Sequence, residues 1–362
     1  MVREARFRRG MAPLSVLRRA VKECGLAVLR ATGAFHLAAG SLRYRQRLLI
    51  LGFHGISLAD EHEWNPGLYI TAAQLRQRME LLRRWEANVL PLEEALERLT
   101  SRSLPPRSVV ITFDDGFVDF GAEAAPILRE FRYPATLYLT THYCLHRVPV
   151  FNLAVSYVLW KSGAAEADLH PLGIPLRLRS SNDQEQQASV RALLEYCEQR
   201  QMSTAERNEV AAGLAAVLGV DYAGTLKRRL LQILAPEEVS ELSRAGIDIQ
   251  LHTHRHRVPL DRQHFLREIE DNRERIREMT GRRAAHFCYP SGVHAAEFLP
   301  WLSEAGIESA VTCELGAAGP RSHRLLLPRV LDDSRVASLD FEAWACGMRG
   351  FGRRHPLAAA NS

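Results

Sequence analysis

Long hydrophobic runs are missing from this chain of 362 residues, and no stretch reaches the length that a transmembrane helix needs. The apolar segment Gly25–Leu29 is interrupted by Arg30, so it makes no convincing signal-peptide core. Repeats and low-complexity tracts are also absent, which argues against a repeat protein. We therefore expect a globular protein in the cytoplasm, with at most a weak attachment to the membrane surface.

Cysteine is scarce, and no pair of cysteines has the close spacing of a metal site. The six residues are Cys24, Cys144, Cys197, Cys288, Cys313 and Cys346. We interpret them as free thiols, the usual state in a reducing compartment. This interpretation agrees with the expected cytoplasmic location.

Acidic residues are rare in the first 47 positions, which contain only Glu4 and Glu23. The arginines of that segment are Arg3, Arg6, Arg8, Arg9, Arg18, Arg19, Arg30, Arg43, Arg45 and Arg47. Residues at helical spacing predict an amphipathic, basic helix over 14–31, with an apolar stripe of Leu14, Leu17, Val21, Cys24 and Val28. Packing on the body of the protein is favoured over contact with anionic lipid. The formal net charge of +5 is mild, and no nucleic-acid partner is expected.

Short apolar runs alternate with helical patterns from residue 47 onward. Leu48–Phe53 is a continuous apolar run, typical of a strand buried on both faces. Further strand candidates lie at 88–90, 109–113, 135–140, 247–251, 285–289, 309–312 and 325–330. Helical patterns occur over 72–85, 92–99, 119–131, 265–279 and 296–304. The alternation predicts an α/β fold, with a parallel sheet closed into a distorted (β/α) barrel or something close to one.

The segment 147–241 does not follow this alternation and is mainly helical by pattern. We interpret it as an insertion in a βα loop, where it could cap the site or select the substrate. The chain then divides into a basic helical leader, the first part of the barrel, the insertion, the second part of the barrel and a C-terminal tail: 1–46, 47–146, 147–241, 242–335 and 336–362.

Polar residues with metal-binding or catalytic chemistry follow four of the predicted strands. They are His54 after 48–53, Asp114 and Asp115 after 109–113, His252 and His256 after 247–251, and Tyr289 with Pro290 at the end of 285–289. In a parallel barrel the carboxyl ends of the strands form one face, where the active site lies. These residues are therefore expected to meet.

Two short strings carry most of the chemistry. Thr112–Gly116, read alone, could be a tight turn, since Asp and Gly are favoured in turns. His252–His256, read alone, could be a solvated histidine-rich loop, and His54 alone could be a hydrogen-bonded structural residue. Together the two strings predict a metal site. One carboxylate and two imidazoles four residues apart would hold the ion, and the second carboxylate could take a proton from water.

The same strings resemble those of a known family. Thr112–Gly116 resembles the first motif of the polysaccharide deacetylase (NodB-homology) family, and His252-Thr253-x-x-His256 resembles the second. Phe287–Gly292 is similar to the Phe-x-Tyr-Pro-x-Gly element of the branch that includes the biofilm poly-N-acetylglucosamine deacetylases. That branch also has an early Tyr-His-x-Ile/Val string, here Phe53–Ile56. The resemblance covers residues 47–141 and 242–331.

The resemblance implies a role for each matching residue. Asp115, His252 and His256 would bind one divalent metal, usually zinc. Asp114 would be the general base, and His54 the general acid that protonates the departing amine. The protein would then remove N-acetyl groups from an N-acetylated sugar or polysaccharide.

Two family features have no clear match: the arginine-containing third motif and the late Leu-x-His motif. The missing late histidine makes His54 more necessary as the acid. Arg329, in a late strand, is the candidate partner of Asp114, and backbone amides beside Tyr289 and Pro290 are candidates for contact with the oxyanion. Three alternatives stay open: a hydrolase of another non-peptide C–N bond, a metal-free glycosidase, and a catalytically silent carbohydrate-binding barrel. The sequence does not specify the glycan.

Overall fold

Seven parallel strands close into a barrel in this protein, whose structure is a computed structural model that describes residues 13–41 and 46–348. In chain order the strands are β1 Leu48–Phe53, β2 Gly55–Ser57, β3 Tyr69–Thr71, β4 Asn88–Val89, β5 Ser108–Phe113, β6 Thr136–Leu139, β7 Glu166–Asp168, β8 Arg177–Arg179, β9 Asp248–Leu251, β10 His286–Cys288, β11 Ser309–Leu315 and β12 Leu327–Leu331. The order round the barrel is β1-β12-β11-β10-β9-β6-β5, and β5 pairs with β1 along its whole length to close the ring.

Helices surround the barrel. They are α1 Pro13–Ala31, α2 Ala34–Gly40, α3 Glu61–Trp64, α4 Ala72–Arg84, α5 Leu92–Thr100, α6 Ala125–Phe131, α7 Phe151–Ser162, α8 Asp183–Gln199, α9 Thr204–Val217, α10 Tyr222–Lys227, α11 Pro236–Arg244, α12 Arg262–Thr280, α13 Phe298–Glu304 and α14 Ser338–Ala345. This arrangement confirms the predicted (β/α) barrel.

The eighth strand of the main sheet lies outside the closed ring. Asn88 and Val89 of β4 pair with the first two residues of β5, while β6 pairs with the end of β5 on the same edge. Eight strands of the main sheet were predicted from the sequence, and all eight are strands in the structure. Because β4 has only two residues, it cannot span the barrel wall, and seven strands close the ring.

Alternate residues of each barrel strand face the lumen and the surrounding helices. Leu48 and Ile50 of β1 pack in the lumen with Val110 and Tyr138, and the apolar face of α5 packs onto the same cluster. The residues between them, such as Leu49, belong to a larger cluster shared with α4 and α12. Every residue of β1 and β5 is therefore buried, as expected for parallel strands covered on both faces.

The insertion lies between β6 and β9 and has a hydrophobic cluster of its own. This cluster runs from Phe151 to Tyr222 and includes an antiparallel hairpin, β7–β8, that the sequence pattern did not predict. Ile233 and Val239 already belong to the barrel core. The packing thus returns to the barrel before residue 241, because α11 lies against α12 with its apolar face.

The N-terminal helix expected over 14–31 is present as α1, and it packs beside α14. Leu26 of α1 lies in a small cluster with Phe35 of α2 and Trp85. In the described residues no helix is both long and apolar enough to cross a membrane.

Candidate active site

The three predicted metal ligands lie together at the carboxyl ends of β5 and β9. Oδ1 of Asp115 is 3.3 Å from Nε2 of His252 and 3.2 Å from Nε2 of His256. One donor atom from each residue lies within 4.8 Å of the other two. Burial opposes ionisation of Asp115, but the two imidazoles hold its pKa well below the usual range. One carboxylate and two imidazole nitrogens fit a catalytic zinc site with a coordination position left for water.

The backbone around these ligands is bent into uncommon conformations. Asp115 has φ 68° and Gly116 has φ 86°, so the chain turns sharply at the end of β5. Glycine suits this positive φ, and a Cβ on Gly116 would also come within 2.3 Å of Leu139 Cδ1, which would have to move. Thr253 and His256 also have positive φ, at 60° and 55°. Backbone in these conformations costs free energy and persists only where the surrounding structure holds it in place.

His252 is held in one tautomer by the barrel. Its Nδ1 lies 2.8 Å from the carbonyl oxygen of Cys288, which can only accept a hydrogen bond. Nδ1 therefore carries the proton, and Nε2 presents its lone pair toward Asp115. This is the orientation that a metal-ligating imidazole requires.

Asn272 of α12 fixes the start of the histidine loop. Its Oδ1 accepts the backbone N–H of His252 at 2.9 Å, and its Nδ2 donates to the carbonyl of Leu139 and the hydroxyl of Thr141, both at 3.0 Å. The Thr141 hydroxyl in turn lies 2.8 Å from Nδ1 of His254. The His254 ring is therefore engaged in this hydrogen-bond network, and it belongs to neither group of possible metal ligands in the described residues.

Glu268, one turn before Asn272 on α12, fixes the middle of the same loop. Its carboxylate accepts the backbone N–H of Arg255 at 2.7 Å and pairs with the Arg255 guanidinium at 2.8 Å. Sequence analysis missed both residues, because neither lies in a motif. Their four-residue spacing on an amphipathic helix is the one signal that the sequence offered.

Asp114 is locked by a buried arginine. Nη1 and Nη2 of Arg329 donate to its two carboxylate oxygens, both at 2.8 Å, and Arg329 also donates to Thr112 and to the Thr312 carbonyl. Burial opposes ionisation of Asp114, but the guanidinium lowers its pKa to about 2. The carboxylate is therefore ionised and fixed in direction, which places Arg329 where the sequence proposed it.

His54 faces the same carboxylate from the end of β1. Its Nε2 lies 3.6 Å from Oδ2 of Asp114, longer than a hydrogen bond. The side chain is 20% exposed, whereas that of Asp114 is 2% exposed. His54 therefore lies on the solvent side of Asp114, where a substrate would enter.

The ring of Tyr289 does not reach the site, and a contact of the backbone amides beside Tyr289 and Pro290 with an oxyanion stays a prediction. The Tyr289 ring is fully buried, and its hydroxyl donates to the Leu325 carbonyl at 3.0 Å. Its backbone N–H is directed at the carbonyl of Val311 at 3.3 Å, within the sheet. Pro290 has no N–H to donate. In this arrangement neither residue has a donor free for an oxyanion.

The side chain of Cys288, one residue before Tyr289, lies at the site beside Asp114. Its thiol lies 3.4 Å from Oδ2 of Asp114 and 3.1 Å from Nη2 of Arg329. Burial raises the pKa of the Cys288 thiol well above its ordinary value, so it is neutral and can donate to Asp114. All six cysteines fall in the described residues, and none of them forms a disulfide.

The comparison with protein families decides the assignment. A family model for polysaccharide deacetylases matches residues 101–164 and 186–310, more than half of the chain. This chain belongs to the polysaccharide deacetylase family. As a member it is a hydrolase of carbon–nitrogen bonds other than peptide bonds, and its substrate is a carbohydrate. The match includes parts of the insertion but omits 165–185, where the β7–β8 hairpin lies.

Solved structures share the fold at low sequence identity. IcaB from Ammonifex degensii is 16% identical with a TM-score of 0.54, and the match covers 83% of this chain and 97% of IcaB. The deacetylase PplD of Streptococcus pyogenes, solved with acetate, is 17% identical with a TM-score of 0.53, covering 81% and 96% of the two chains. None of the curated proteins compared with this chain matches it.

Proposed function

We propose that this polysaccharide deacetylase removes N-acetyl groups from an N-acetylated sugar or polysaccharide with one divalent metal, zinc being the usual ion of the family. One observation carries the proposal. Asp115, His252 and His256 offer three suitable donor atoms beside a second carboxylate, Asp114, that is held ionised by Arg329. Metal binding and proton acceptance are thereby divided between two adjacent residues, Asp115 and Asp114.

The residues of the site divide the reaction between them. A bound zinc ion would supply acidity to a water molecule and polarise the acetyl carbonyl. Asp114 accepts the proton of the attacking water, and Arg329 keeps that carboxylate ionised and aimed. His54, on the solvent side of Asp114, donates a proton to the amine nitrogen as the C–N bond breaks. Acetate and a free amine are the products.

The alternatives are supported less well. A catalytically silent carbohydrate-binding barrel would need neither three residues able to bind a metal nor a neighbouring aspartate that a buried arginine keeps ionised. A glycosidase needs a second carboxylate across the scissile bond, whereas Arg329, Cys288 and His54 lie within 3.6 Å of the Asp114 carboxylate, and its neighbour Asp115 faces His252 and His256. Hydrolysis of another C–N bond stays open, as do the length and linkage of the glycan. The cytoplasmic location stays a prediction from the sequence.

Metal content tests the ligand assignment. We expect the purified protein to contain about one zinc-like ion per chain, and Asp115→Asn or His252→Ala to lose it, because three protein ligands are the minimum for such a site. Asp114→Asn should retain the ion, and so should the control His264→Ala, which changes an exposed histidine. Elemental analysis measures the content. Unchanged metal in both ligand variants would show that the assignment is wrong.

A further inference from the structure

The apolar stripe of α1 faces solvent instead of the protein body. Val21 and Val28, at helical spacing on one face of α1, are 64% and 61% exposed. Cys24 between them is exposed as well. Leu37 of α2 adds a further aliphatic side chain that is 79% exposed. The sequence favoured packing of this stripe on the body, and for its described residues the structure shows the reverse.

Charged residues set this orientation of α1. The amine of Lys22 lies 2.9 Å from Asp340, and Nε of Arg30 lies 3.1 Å from Glu342, both on α14. Leu26, on the same side of α1, is 7% exposed. The helix therefore turns a polar flank toward the body and its apolar stripe outward, which is the reverse of an ordinary surface helix.

The charge of the surrounding segment indicates what covers the stripe. Residues 1–47 contain ten arginines and Lys22 against Glu4 and Glu23. The segment that contains α1 and α2 is therefore strongly basic by sequence. A second copy of this face would carry the same positive charge and be repelled. Aliphatic side chains flanked by cations are the pattern of helices that lie on anionic bilayers.

We propose that α1 and α2 form a docking surface for an anionic lipid bilayer, with Val21, Val28 and Leu37 entering the interface. The contact is peripheral, since α1 lies along the protein and is held to α14 by its polar flank. The surface is separate from the metal ligands. Its test therefore stands apart from the test of deacetylation.

Vesicle co-sedimentation of the full chain tests the proposal. We expect the protein to bind phosphatidylcholine vesicles that contain phosphatidylglycerol, to bind pure phosphatidylcholine weakly, and to dissociate as salt is added. The triple variant Val21→Asp, Val28→Asp, Leu37→Asp should bind the anionic vesicles at least about tenfold less, because each aspartate is repelled and no longer buries apolar surface. Its deacetylation of a soluble substrate should match the wild type.

A matched control is available on the insertion. Val217, at the end of α9, is 41% exposed, and Val217→Asp should leave vesicle binding unchanged. Thermal melting of each variant verifies that it folds. Equal binding by the wild type and the triple variant, or no preference for anionic vesicles, would overturn the proposal. So would a dimer in solution that the triple variant abolishes without any vesicle binding, since the stripe would then belong to a second copy.

Discussion

Asn272 connects the loop of His252 and His256 to the barrel through three hydrogen bonds of its side chain, although none of these bonds is made to an imidazole ring of the loop. It is fully buried, and it satisfies the backbone N–H of His252, the carbonyl of Leu139 and the hydroxyl of Thr141. Removing such a residue leaves buried polar groups without partners. It also frees the loop whose strained backbone presents His252 and His256.

We expect Asn272→Ala to weaken metal binding by about 10- to 100-fold, the usual effect of removing a residue that orients a ligand. It should also lower the free energy of unfolding by about 1–3 kcal/mol. Asn208→Ala is the matched control, since Asn208 accepts a hydrogen bond from Tyr222 inside the insertion. Asn208→Ala should lower the free energy of unfolding and leave the metal affinity unchanged. Competition with a chromophoric chelator measures the metal affinity, and an unchanged affinity in Asn272→Ala would remove Asn272 as a positioning residue.

Sequence and structure agree at some residues of the site and differ at others for physical reasons. Asp114, Asp115 and His252 could be placed because they directly follow buried strands, and strand ends converge in a barrel. Asn272 could not, since it reaches the site from a helix with no local motif, and Cys288 was passed over for Tyr289, the next residue of the same string. Tyr289 was expected at the site because it ends a strand, but the alternation of the strand turns its ring away from the lumen and into the core around the barrel.

At the scale of elements, a buried ion pair joins α4 to the chain after β12. Arg78 of α4 is 1% exposed, and its Nε donates to Asp332 at 2.8 Å. The same guanidinium donates to the Val336 carbonyl at 2.6 Å and to Ser338 at 3.0 Å. These contacts lead directly into α14, on which α1 rests. Arg78 thus helps to hold α14 in place, and α14 in turn packs against α1.

We expect Arg78→Met to lower the free energy of unfolding by about 3–5 kcal/mol at neutral pH, because it leaves the Asp332 carboxylate buried without a partner. Burial raises the pKa of Asp332 to about 6 even beside Arg78, above the value of about 3.9 for an unfolded chain. The folded state therefore binds the proton more tightly, and the contribution of Asp332 to stability falls as the pH rises through 6. Without Arg78 this pKa rises further.

The loss of unfolding free energy in Arg78→Met should therefore be largest above pH 6, and it should become smaller as the pH falls below 6. Urea unfolding at about pH 5 and about pH 8 measures this difference. The double variant Arg78→Met, Asp332→Asn should recover part of the loss at the higher pH, since no buried charge is left. An equal loss of unfolding free energy at both pH values would contradict this account of the Arg78–Asp332 ion pair.

Elements were predictable from the sequence where a single segment contains the signal. Continuous apolar runs predicted the barrel strands, and the helical pattern over 72–85 is found as α4, whose Leu75, Met79 and Leu82 are buried. The orientation of α1 was not predictable in this way. Periodicity shows which face of a helix is apolar, but the acidic residues that turn its other face inward, Asp340 and Glu342, lie some three hundred positions later.

At the scale of the whole molecule, the insertion is tied to the rim of the site. Arg257, directly after the ligand His256, pairs with Glu198 of α8 at 2.5 Å. The hydroxyl of Thr204 at the start of α9 lies 3.3 Å from Nε2 of His142, whose backbone N–H bonds to the carbonyl of His254. The insertion therefore meets the ligand loop from two helices. This position favours the predicted role in selecting the glycan.

Deacetylation by this barrel should depend both on a bound metal and on Asp114 as the base. Acetate release from N-acetylated glucosamine oligomers of several lengths tests it most directly, with the purified protein assayed as isolated, after chelation, after zinc is restored, and as Asp114→Asn. We predict release by the isolated and zinc-restored protein, loss on chelation, and a rate at least about 100-fold lower in Asp114→Asn, the scale of a lost general base. Undiminished acetate release by the metal-free protein, or by Asp114→Asn, would contradict the account.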